Sequence, residues 1–175
     1  MAEVELFKHN EIGYQKLTKA LEEHDSATIN HATGTGKSFI AIKYMYENRD
    51  KKILYLAPTY FILRQLERDC KKLGIAIEDL QVDRMIYRSL LDMNMEDVYK
   101  KYDAIFYDEC HRLGAKGIYK KLKHLKLLQK QSSQKKKFIG LSATPIRYLD
   151  NERNMTDELF DGVEASRLSL AEAMV

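Results

Sequence analysis

The sequence predicts an α/β domain in which a mainly parallel β-sheet carries helices on both faces. Short apolar runs alternate with amphipathic helical stretches along most of the chain, which is the pattern of repeated strand–helix–strand units. Several of these runs are apolar at every position, as expected for strands buried on both faces of a sheet. The chain has 175 residues, enough for one domain with a sizeable core and too few for two.

Each element is predicted from its apolar spacing and from the residues that bound it, such as Pro58 and Gly74 on either side of the third helix. The elements are, in chain order, a helix over 11–23, a strand over 27–32, a helix over 39–48, a strand over 52–57, a helix over 59–73, a strand over 84–87, a helix over 95–102, a strand over 104–107, a helix over 116–130 and a strand over 138–141. The predicted inward side chains of the first and last helices are Ile12, Leu17, Ala20, Leu21, Ile118, Leu122, Leu125 and Leu128.

Positive charge is concentrated in one segment in the second half of the chain. Residues 112–137 contain ten Lys or Arg and no Asp or Glu, whereas the remaining 149 residues carry nineteen basic and twenty-six acidic groups. The ordinary interpretation is a solvated helix face followed by a flexible polar loop. The alternative is a surface that attracts phosphate, in which case nucleic-acid binding should weaken when Gln replaces several of Lys120, Lys121, Lys123 and Lys126.

The composition disfavours membrane and secreted proteins. No apolar run approaches the ~20 residues of a transmembrane helix, and the N-terminus lacks the basic start and apolar stretch of a secretion signal. The two cysteines, Cys70 and Cys110, have no spaced partners that indicate a metal site. We therefore expect reduced thiols in a cytoplasmic protein.

A phosphate-binding loop is predicted after the first strand. The pattern G-x-x-x-x-G-K-[ST] is matched at every position except the first, which is His31, by Ala32-Thr33-Gly34-Thr35-Gly36-Lys37-Ser38. The glycines permit positive φ and let backbone N–H groups approach phosphate oxygens, and the next helix directs its positive dipole end toward the same anion. We expect Lys37 to reach the β- and γ-phosphates and the Ser38 hydroxyl to be a ligand of Mg²⁺.

Two adjacent acids, Asp108 and Glu109, follow the strand over 104–107. One carboxylate can hold Mg²⁺ while its neighbour polarises an attacking water, and we assign Asp108 to the metal and Glu109 to the water. Such a pair alone usually marks a solvated loop. With a phosphate loop upstream, it predicts a Walker B element whose position at a strand end should bring it close to that loop.

The ordered set ATGTGKS, LAPT, DECH and SATP resembles motifs I, Ia, II and III of superfamily 2 helicases. The segments DECHRLGA and LSATPIRYLD resemble the DExH branch that includes motor subunits of restriction systems. The resemblance implies a RecA-like P-loop domain over residues 1–150 and a tail over 151–175 that leads toward a second RecA-like domain of the parent protein. It also implies ATP and Mg²⁺ as ligands and nucleic acid as the track, with DNA favoured over RNA.

The resemblance further implies a coupling element. His111 would link the nucleotide site to motif III, and Ser142 and Thr144 would lie where the state of the nucleotide is communicated to the nucleic acid. Without this resemblance, a Ser-Ala-Thr sequence at a strand end indicates only a cap or turn.

Contacts to nucleic acid and adenine are also implied by the resemblance. Thr59, helped by Tyr60, would contact the sugar-phosphate backbone, and Arg88 would bind phosphate where relatives carry a Gln. The amide that reads adenine in relatives corresponds to Asn10 or Gln15, and spacing favours Asn10. Alternatively, Asn10 caps the first helix.

The resulting hypothesis is an ATP-binding lobe of a nucleic-acid-dependent ATPase, either a helicase or a translocase. Because the second lobe of such a motor supplies arginine fingers worth roughly three to five decades in rate, we expect an excised or truncated chain that binds nucleotide weakly and hydrolyses it very slowly. The alternative is a nucleotide-sensing or partner-binding RecA-like module without motor activity. A P-loop kinase or GTPase is disfavoured because no substrate lid or guanine-reading element is recognisable.

Overall fold

The computed structural model describes residues 4–32, 35–110, 116–143, 146–147 and 153–168. The helices are α1 (Lys8–Glu23), α2 (Lys37–Glu47), α3 (Tyr60–Lys72), α4 (Met95–Lys101), α5 (Lys116–Gln131) and α6 (Met155–Leu159). The strands are β1 (Ser26–His31), β2 (Ile53–Ala57), β3 (Val82–Ile86), β4 (Ala104–Asp108), β5 (Lys137–Ser142), β6 (Ile146–Arg147), β7 (Arg153–Asn154) and β8 (Glu164–Leu168). Two short 3-10 helices cover Ile77–Asp79 and Tyr87–Asp92.

Six strands form one sheet in the order β3-β2-β4-β5-β1-β8, and every neighbouring pair is parallel. The two-residue strands β6 and β7 pair separately in an antiparallel ribbon. All five predicted strands lie within two residues of their predicted bounds, and each predicted helix is present, with α1 starting three residues early. The predicted fold class is therefore confirmed.

The sheet separates two apolar layers, because successive side chains of a strand such as β2 point to opposite faces of the sheet. Tyr55 belongs to the layer under α1, α2 and α3, whereas its neighbours Leu54 and Leu56 belong to the layer under α4, α5 and α6. The same alternation along β4 places Phe106 on the first face and Tyr107 on the second. Because both faces of these strands are buried, their sequences are almost entirely apolar until β4 ends at Asp108.

The prediction that Ile12 faces the core was wrong. Ile12 is 48% exposed, because the inward face of α1 is formed by Asn10, Tyr14, Leu17 and Leu21. The ring of Tyr14 is buried under α2, where the ammonium of Lys43 lies 4.8 Å from the ring centroid. This spacing of three or four residues places position 12 on the solvent side of the helix.

The segment predicted as a tail contributes a strand to the main sheet. β8 pairs with β1, and the imidazole Nε2 of His31 lies 2.8 Å from the hydroxyl of Ser166. Just before β8, the buried ring of Phe160 lies so close to Gly140 that a Cβ at position 140 would be 2.9 Å from it. In the described ranges, no helix has both the length and the apolarity needed to cross a bilayer.

Candidate nucleotide site

A cleft of about 450 Å³ opens at the carboxyl edge of the sheet. Its walls come from four elements, namely the start of α2, Tyr55 in β2, the helix α3 and the end of β4. The structure thus brings together side chains that are about 70 residues apart in sequence. The site residues among them are Gly36, Lys37, Ser38, Asp108 and Glu109.

Gly36 shapes the described end of the phosphate loop. Its φ is 83°, in the left-handed region, and an added Cβ would lie 2.6 Å from Nδ2 of Asn10 and 2.9 Å from the ring of Phe39. Glycine is therefore required on both conformational and steric grounds. The helix α1 also stabilises the loop, since His9 Nε2 donates to the carbonyl oxygen of Thr35 at 2.7 Å. Thr33 and Gly34 lie outside the described residues.

The helix α2 begins at Lys37, directly after this glycine. The N-cap residue, Gly36, has no side chain to cap the first turn. The N–H of Phe39 donates to the Gly36 carbonyl oxygen at 3.0 Å, and the N–H groups that begin such a helix are the ones that bind anions in phosphate loops. The backbone thus supports the phosphate-binding role predicted from the loop pattern.

Asp108 is a buried carboxyl group at the end of β4, with 7% exposure. Its Oδ2 accepts from the hydroxyl of Tyr55 at 2.6 Å, and its Oδ1 accepts from the backbone N–H of Glu109 at 2.8 Å. Burial raises the pKa of Asp108, although the Tyr55 hydrogen bond and the positive charge of Lys37 act in the opposite direction. Such a carboxylate is better satisfied by a cation than by its present neutral donors.

Glu109 has a backbone φ of 56°, in the left-handed region that non-glycine residues rarely occupy. Strain of this kind costs roughly 1–3 kcal/mol and is commonly found at functional sites. Here it turns the chain sharply where β4 ends and the cleft begins. His111, two residues later, lies outside the described residues.

Sequence reasoning missed two polar side chains of the cleft, Tyr55 and Asp69. The Ser38 hydroxyl donates to Oδ2 of Asp69 at 2.7 Å, and Asp69 is only 6% exposed. A signal for each was present in the sequence. Tyr55 carries the one polar side-chain atom of an apolar strand, and Asp69 lies on the inward face of α3 beside Leu66 and Cys70.

The two adenine candidates lie in different environments. Asn10 is fully buried against Gly36, and among the described residues its amide has no hydrogen-bond partner. The alternative in which Asn10 caps α1 was wrong, because the N-cap is Phe7 and Asn10 lies inside the helix. Gln15 is exposed and donates to the carboxylate of Glu11 at 3.0 Å.

The predicted nucleic-acid residues lie outside the cleft walls. Thr59 is the N-cap of α3 and accepts from the N–H of Ile62 at 3.3 Å. Tyr60 is 60% exposed, and Arg88 is also exposed. Next to Arg88, Tyr87 is buried and its hydroxyl donates to the carbonyl oxygen of Asp108 at 2.6 Å. A buried tyrosine thus connects this segment directly to the end of β4.

The coupling residues are only partly described. Ser142 ends β5, is fully buried, and hydrogen-bonds to the thiol of Cys110. Burial raises the pKa of Cys110, so its thiol is protonated at neutral pH. Ser142 thus contacts the residue that precedes His111, although His111 and Thr144 lie outside the described residues.

The basic surface is smaller than the sequence suggested. Lys126 is buried and its ammonium lies 2.7 Å from Oδ2 of Asp161, and Lys121 donates to the carbonyl oxygen of Met93 at 2.9 Å. The exposed side chains of this part of α5 lie on its outer face and are Lys120, Lys123, His124, Leu127 and Lys130.

Comparisons with known proteins agree with this architecture. The family described as "Type III restriction enzyme, res subunit" matches residues 3–82 and 75–147. A Pyrococcus furiosus Hef helicase domain superposes with a TM-score of 0.62 at 20% identity, covering 95% of this chain and 39% of that one. A Sulfolobus solfataricus SWI2/SNF2 ATPase core in complex with dsDNA superposes with a TM-score of 0.66 at 16% identity, covering 91% and 36%.

The chain therefore spans less than two fifths of the length of either structure. No curated protein sequence matches it. The family match covers well over half of the chain, and the six-stranded parallel sheet matches the fold of these two structures. The chain belongs to the Type III restriction enzyme res subunit family, as a RecA-like domain of the superfamily 2 helicase type.

Proposed function

We propose that this domain binds Mg·ATP in the cleft at the carboxyl edge of the sheet and is the ATP-hydrolysing lobe of a nucleic-acid-dependent helicase or translocase. One observation carries the proposal. Lys37 and Ser38, after β1, line the same cleft as Asp108 and Glu109, at the end of β4. A cation, a hydroxyl and two acids around one space are the groups that a phosphate–magnesium unit requires.

The oxygen donors fit Mg²⁺. This ion prefers hard oxygen ligands and is usually held by one or two protein groups together with phosphates and water. Ser38 and Asp108 supply two such oxygens, and within the described ranges no three His, Cys, Asp or Glu side chains gather into a cage of their own. When bound, the ion would neutralise charge on the β- and γ-phosphates.

The roles of the side chains follow from their chemistry. Lys37 and the first-turn N–H groups of α2 hold the phosphates, and Asp108 holds the metal. Glu109, half-buried directly after β4, orients and polarises the attacking water. Each oxygen of Asp108 already accepts a hydrogen bond, from Tyr55 or from the Glu109 amide, so the second role is assigned to Glu109.

Adenine is proposed to bind beside α1. A groove of about 380 Å³ lies between Phe7 and Phe39 and shares Lys72 with the main cleft. Phe7 is 71% exposed, which leaves a ring face open for stacking on a base. The Asn10 amide has no hydrogen-bond partner among the described residues, but it is fully buried against Gly36 and does not line this groove, so pairing with adenine would require this amide to become accessible.

Nucleic acid, with DNA favoured, is the proposed activator, and a second RecA-like domain is the proposed partner lobe. The likeness to an ATPase core in complex with dsDNA supports the first part. The chain corresponds to less than two fifths of each similar structure, which supports the second. Without the arginine fingers of a second lobe, turnover by this domain alone should be lower by roughly three to five decades.

Two substitutions test the assignment. Lys37→Ala should abolish detectable Mg·ATP binding to the chain, whereas Glu109→Gln should bind Mg·ATP like the wild type and, in the parent protein, should stop turnover. Lys71→Ala, an exposed lysine on α3 that does not line the cleft, is the control and should change neither property. Calorimetric titration measures binding and phosphate release measures turnover.

The outcomes separate two errors. If the wild type binds no Mg·ATP, or Lys37→Ala binds it equally well, the cleft is not a nucleotide site. If both variants lose binding to the same extent, the cleft binds nucleotide but Glu109 has been assigned the wrong role.

A further inference from the structure

Asp69 occupies a position in the cleft that the proposed function does not use. It lies on the inward side of α3 and is 6% exposed. Its Oδ2 accepts the hydroxyl hydrogen of Ser38 at 2.7 Å, across 31 positions of sequence. Helix packing alone does not require an acid at this position, where it hydrogen-bonds to the predicted metal ligand.

The carboxylate of Asp69 is held in place by its own helix. Gln65, one turn earlier, donates from Nε2 to Oδ1 at 3.2 Å, and the ammonium of Lys72 lies 3.6 Å from the same oxygen. The two interactions on Oδ1 leave Oδ2 directed at Ser38. The acceptor is thus fixed before any ligand arrives.

The chemistry of a hydroxyl ligand explains why such an acceptor is useful. A serine hydroxyl has one hydrogen and two lone pairs, and it binds a cation only through a lone pair. Its hydrogen must therefore point away from the metal and needs an acceptor on that far side. Groups that orient a metal ligand in this way typically change metal affinity by about 10–100-fold when they are removed.

We propose that Asp69 is a positioning residue of the magnesium site, which accepts the Ser38 hydroxyl hydrogen so that the lone pairs of Ser38 face the metal. This role rests on the proposed nucleotide site and names a residue that controls its metal requirement. Asp69 does not touch the reacting atoms, so it is not a catalytic residue.

The sign of the electrostatic effect distinguishes this role from a general contribution to binding. Asp69 is an anion in a cleft for phosphates, so without a metal its charge repels the nucleotide. Its removal should therefore leave Mg²⁺-free ADP binding unchanged or tighter, and should weaken only the additional affinity that Mg²⁺ provides. A residue that merely stabilised the cleft would affect both conditions equally.

The test is a set of ADP titrations of the whole chain over a range of Mg²⁺ concentrations and in the presence of EDTA. The Mg²⁺ concentration that gives half of the extra affinity should rise by about 10-fold in Asp69→Ala. Asp69→Asn, which keeps an acceptor oxygen, should stay nearer to the wild type. Glu67→Ala, an acid of the same helix that pairs with Arg84 outside the cleft, is the matched control and should not change the requirement.

A double substitution shows whether the two residues act as a unit. Ser38→Ala should raise the Mg²⁺ requirement by itself, and adding Asp69→Ala should raise it no further, because the hydroxyl that Asp69 orients is gone. If Asp69→Ala fails to fold, Asp69→Leu removes the acceptor while filling the space, and the same result is expected of it.

Three results would overturn the role of Asp69: an unchanged Mg²⁺ requirement in the variant that lacks the acceptor, an equal loss with and without Mg²⁺, or fully additive effects with Ser38→Ala. Failure of the proposed function looks different. In that case wild-type chain would show no Mg²⁺-dependent ADP binding, or Lys37→Ala would retain it.

Discussion

Two buried polar clusters lie at opposite ends of the same sheet. The carboxyl-end cluster consists of Ser38, Tyr55, Asp69 and Asp108, and the amino-end cluster consists of Ser26, Lys126, Gln129 and Asp161. Both contain ionisable groups that are largely removed from water. They differ in whether their hydrogen-bonding groups and charges are already satisfied.

The amino-end cluster is closed. The ammonium of Lys126 donates to the hydroxyl of Ser26 at 2.9 Å, to Oε1 of Gln129 at 2.7 Å and to Asp161 at 2.7 Å. The amide nitrogen of Gln129 donates to the carbonyl oxygens of Asp25 and Lys136. Burial lowers the pKa of Lys126, and the facing carboxylate acts in the opposite direction.

The carboxyl-end cluster is open. Asp108 receives only a neutral hydroxyl and a backbone N–H, and it forms no ion pair within the described part of the chain. It also borders a cleft rather than packed side chains. The comparison teaches that burial of a charge does not by itself indicate function. A closed network holds the fold together, whereas a buried carboxylate without an ion-pair partner beside an opening is available to a cationic ligand.

The largest effect is expected at the closed cluster. Asp161→Asn leaves the buried ammonium of Lys126 without its carboxylate, and asparagine tolerates the left-handed backbone at φ 58°. Because the Asp161 side chain is itself 40% exposed, we expect a loss of about 2 kcal/mol rather than the larger cost of a fully buried pair. Urea denaturation should show this loss with nucleotide binding unchanged.

Asp50→Asn, at an exposed acid, is the control and should change the stability by less than about 0.5 kcal/mol. If Asp161→Asn were as stable as this control, or if it weakened nucleotide binding, the amino-end cluster would not be a purely structural network.

An opposite and smaller effect is expected at the open cluster. Asp108→Asn removes a buried charge while Tyr55 and the Glu109 amide still find partners, so it should stabilise the fold by about 1 kcal/mol at pH 7, or about 2–4 °C in Tm. The same change should abolish the Mg²⁺-dependent part of ADP binding. A variant that was less stable than the wild type at pH 7 would contradict an open site.

The pH dependence of this difference has a defined sign. The pKa of Asp108 is raised by folding, so the group favours the folded state at low pH, and this contribution is lost as the pH rises through its folded value. The stability advantage of Asp108→Asn should therefore be present at neutral pH and disappear below about the unfolded value of 3.8. Thermal melts of both proteins across this range provide the measurement.

The smallest effect is expected on the outer face of α5, which contains neither cluster. A triple variant with Gln at positions 120, 123 and 130 should change the free energy of unfolding by less than about 0.5 kcal/mol, because these lysines are exposed. On the interpretation of a solvated face, DNA affinity and its salt dependence should also be unchanged. A salt dependence reduced by about one unit per lysine would instead show that this face binds phosphate.

The order of strands and helices could be predicted because it depends on local periodicity. The buried runs of β2 and β4 and the spacing of Gly36, Lys37 and Ser38 are properties of short segments. These segments also placed the phosphate loop and the Asp108–Glu109 pair at strand ends. The parallel sheet then brought both into one cleft.

Partners that are distant in sequence could not be predicted in this way. Ser38 meets Asp69 and Tyr55 meets Asp108 only because α3 and β2 pack beside the cleft. Lys126 was grouped with its basic neighbours, although it follows Leu122 by one helical turn and therefore faces inward. In each case a local pattern identified the residue type, and the tertiary fold decided the partner.

The strand β8 has a practical consequence for handling the domain. It covers one side of β1, where the N–H of Ala32 donates to the carbonyl oxygen of Leu168 and that of Thr28 to Val163. A version cut before residue 164 would leave the backbone of β1 as a bare sheet edge, ready to pair with another molecule. Such a version should aggregate during expression, so a soluble minimal domain must retain residues 164–168.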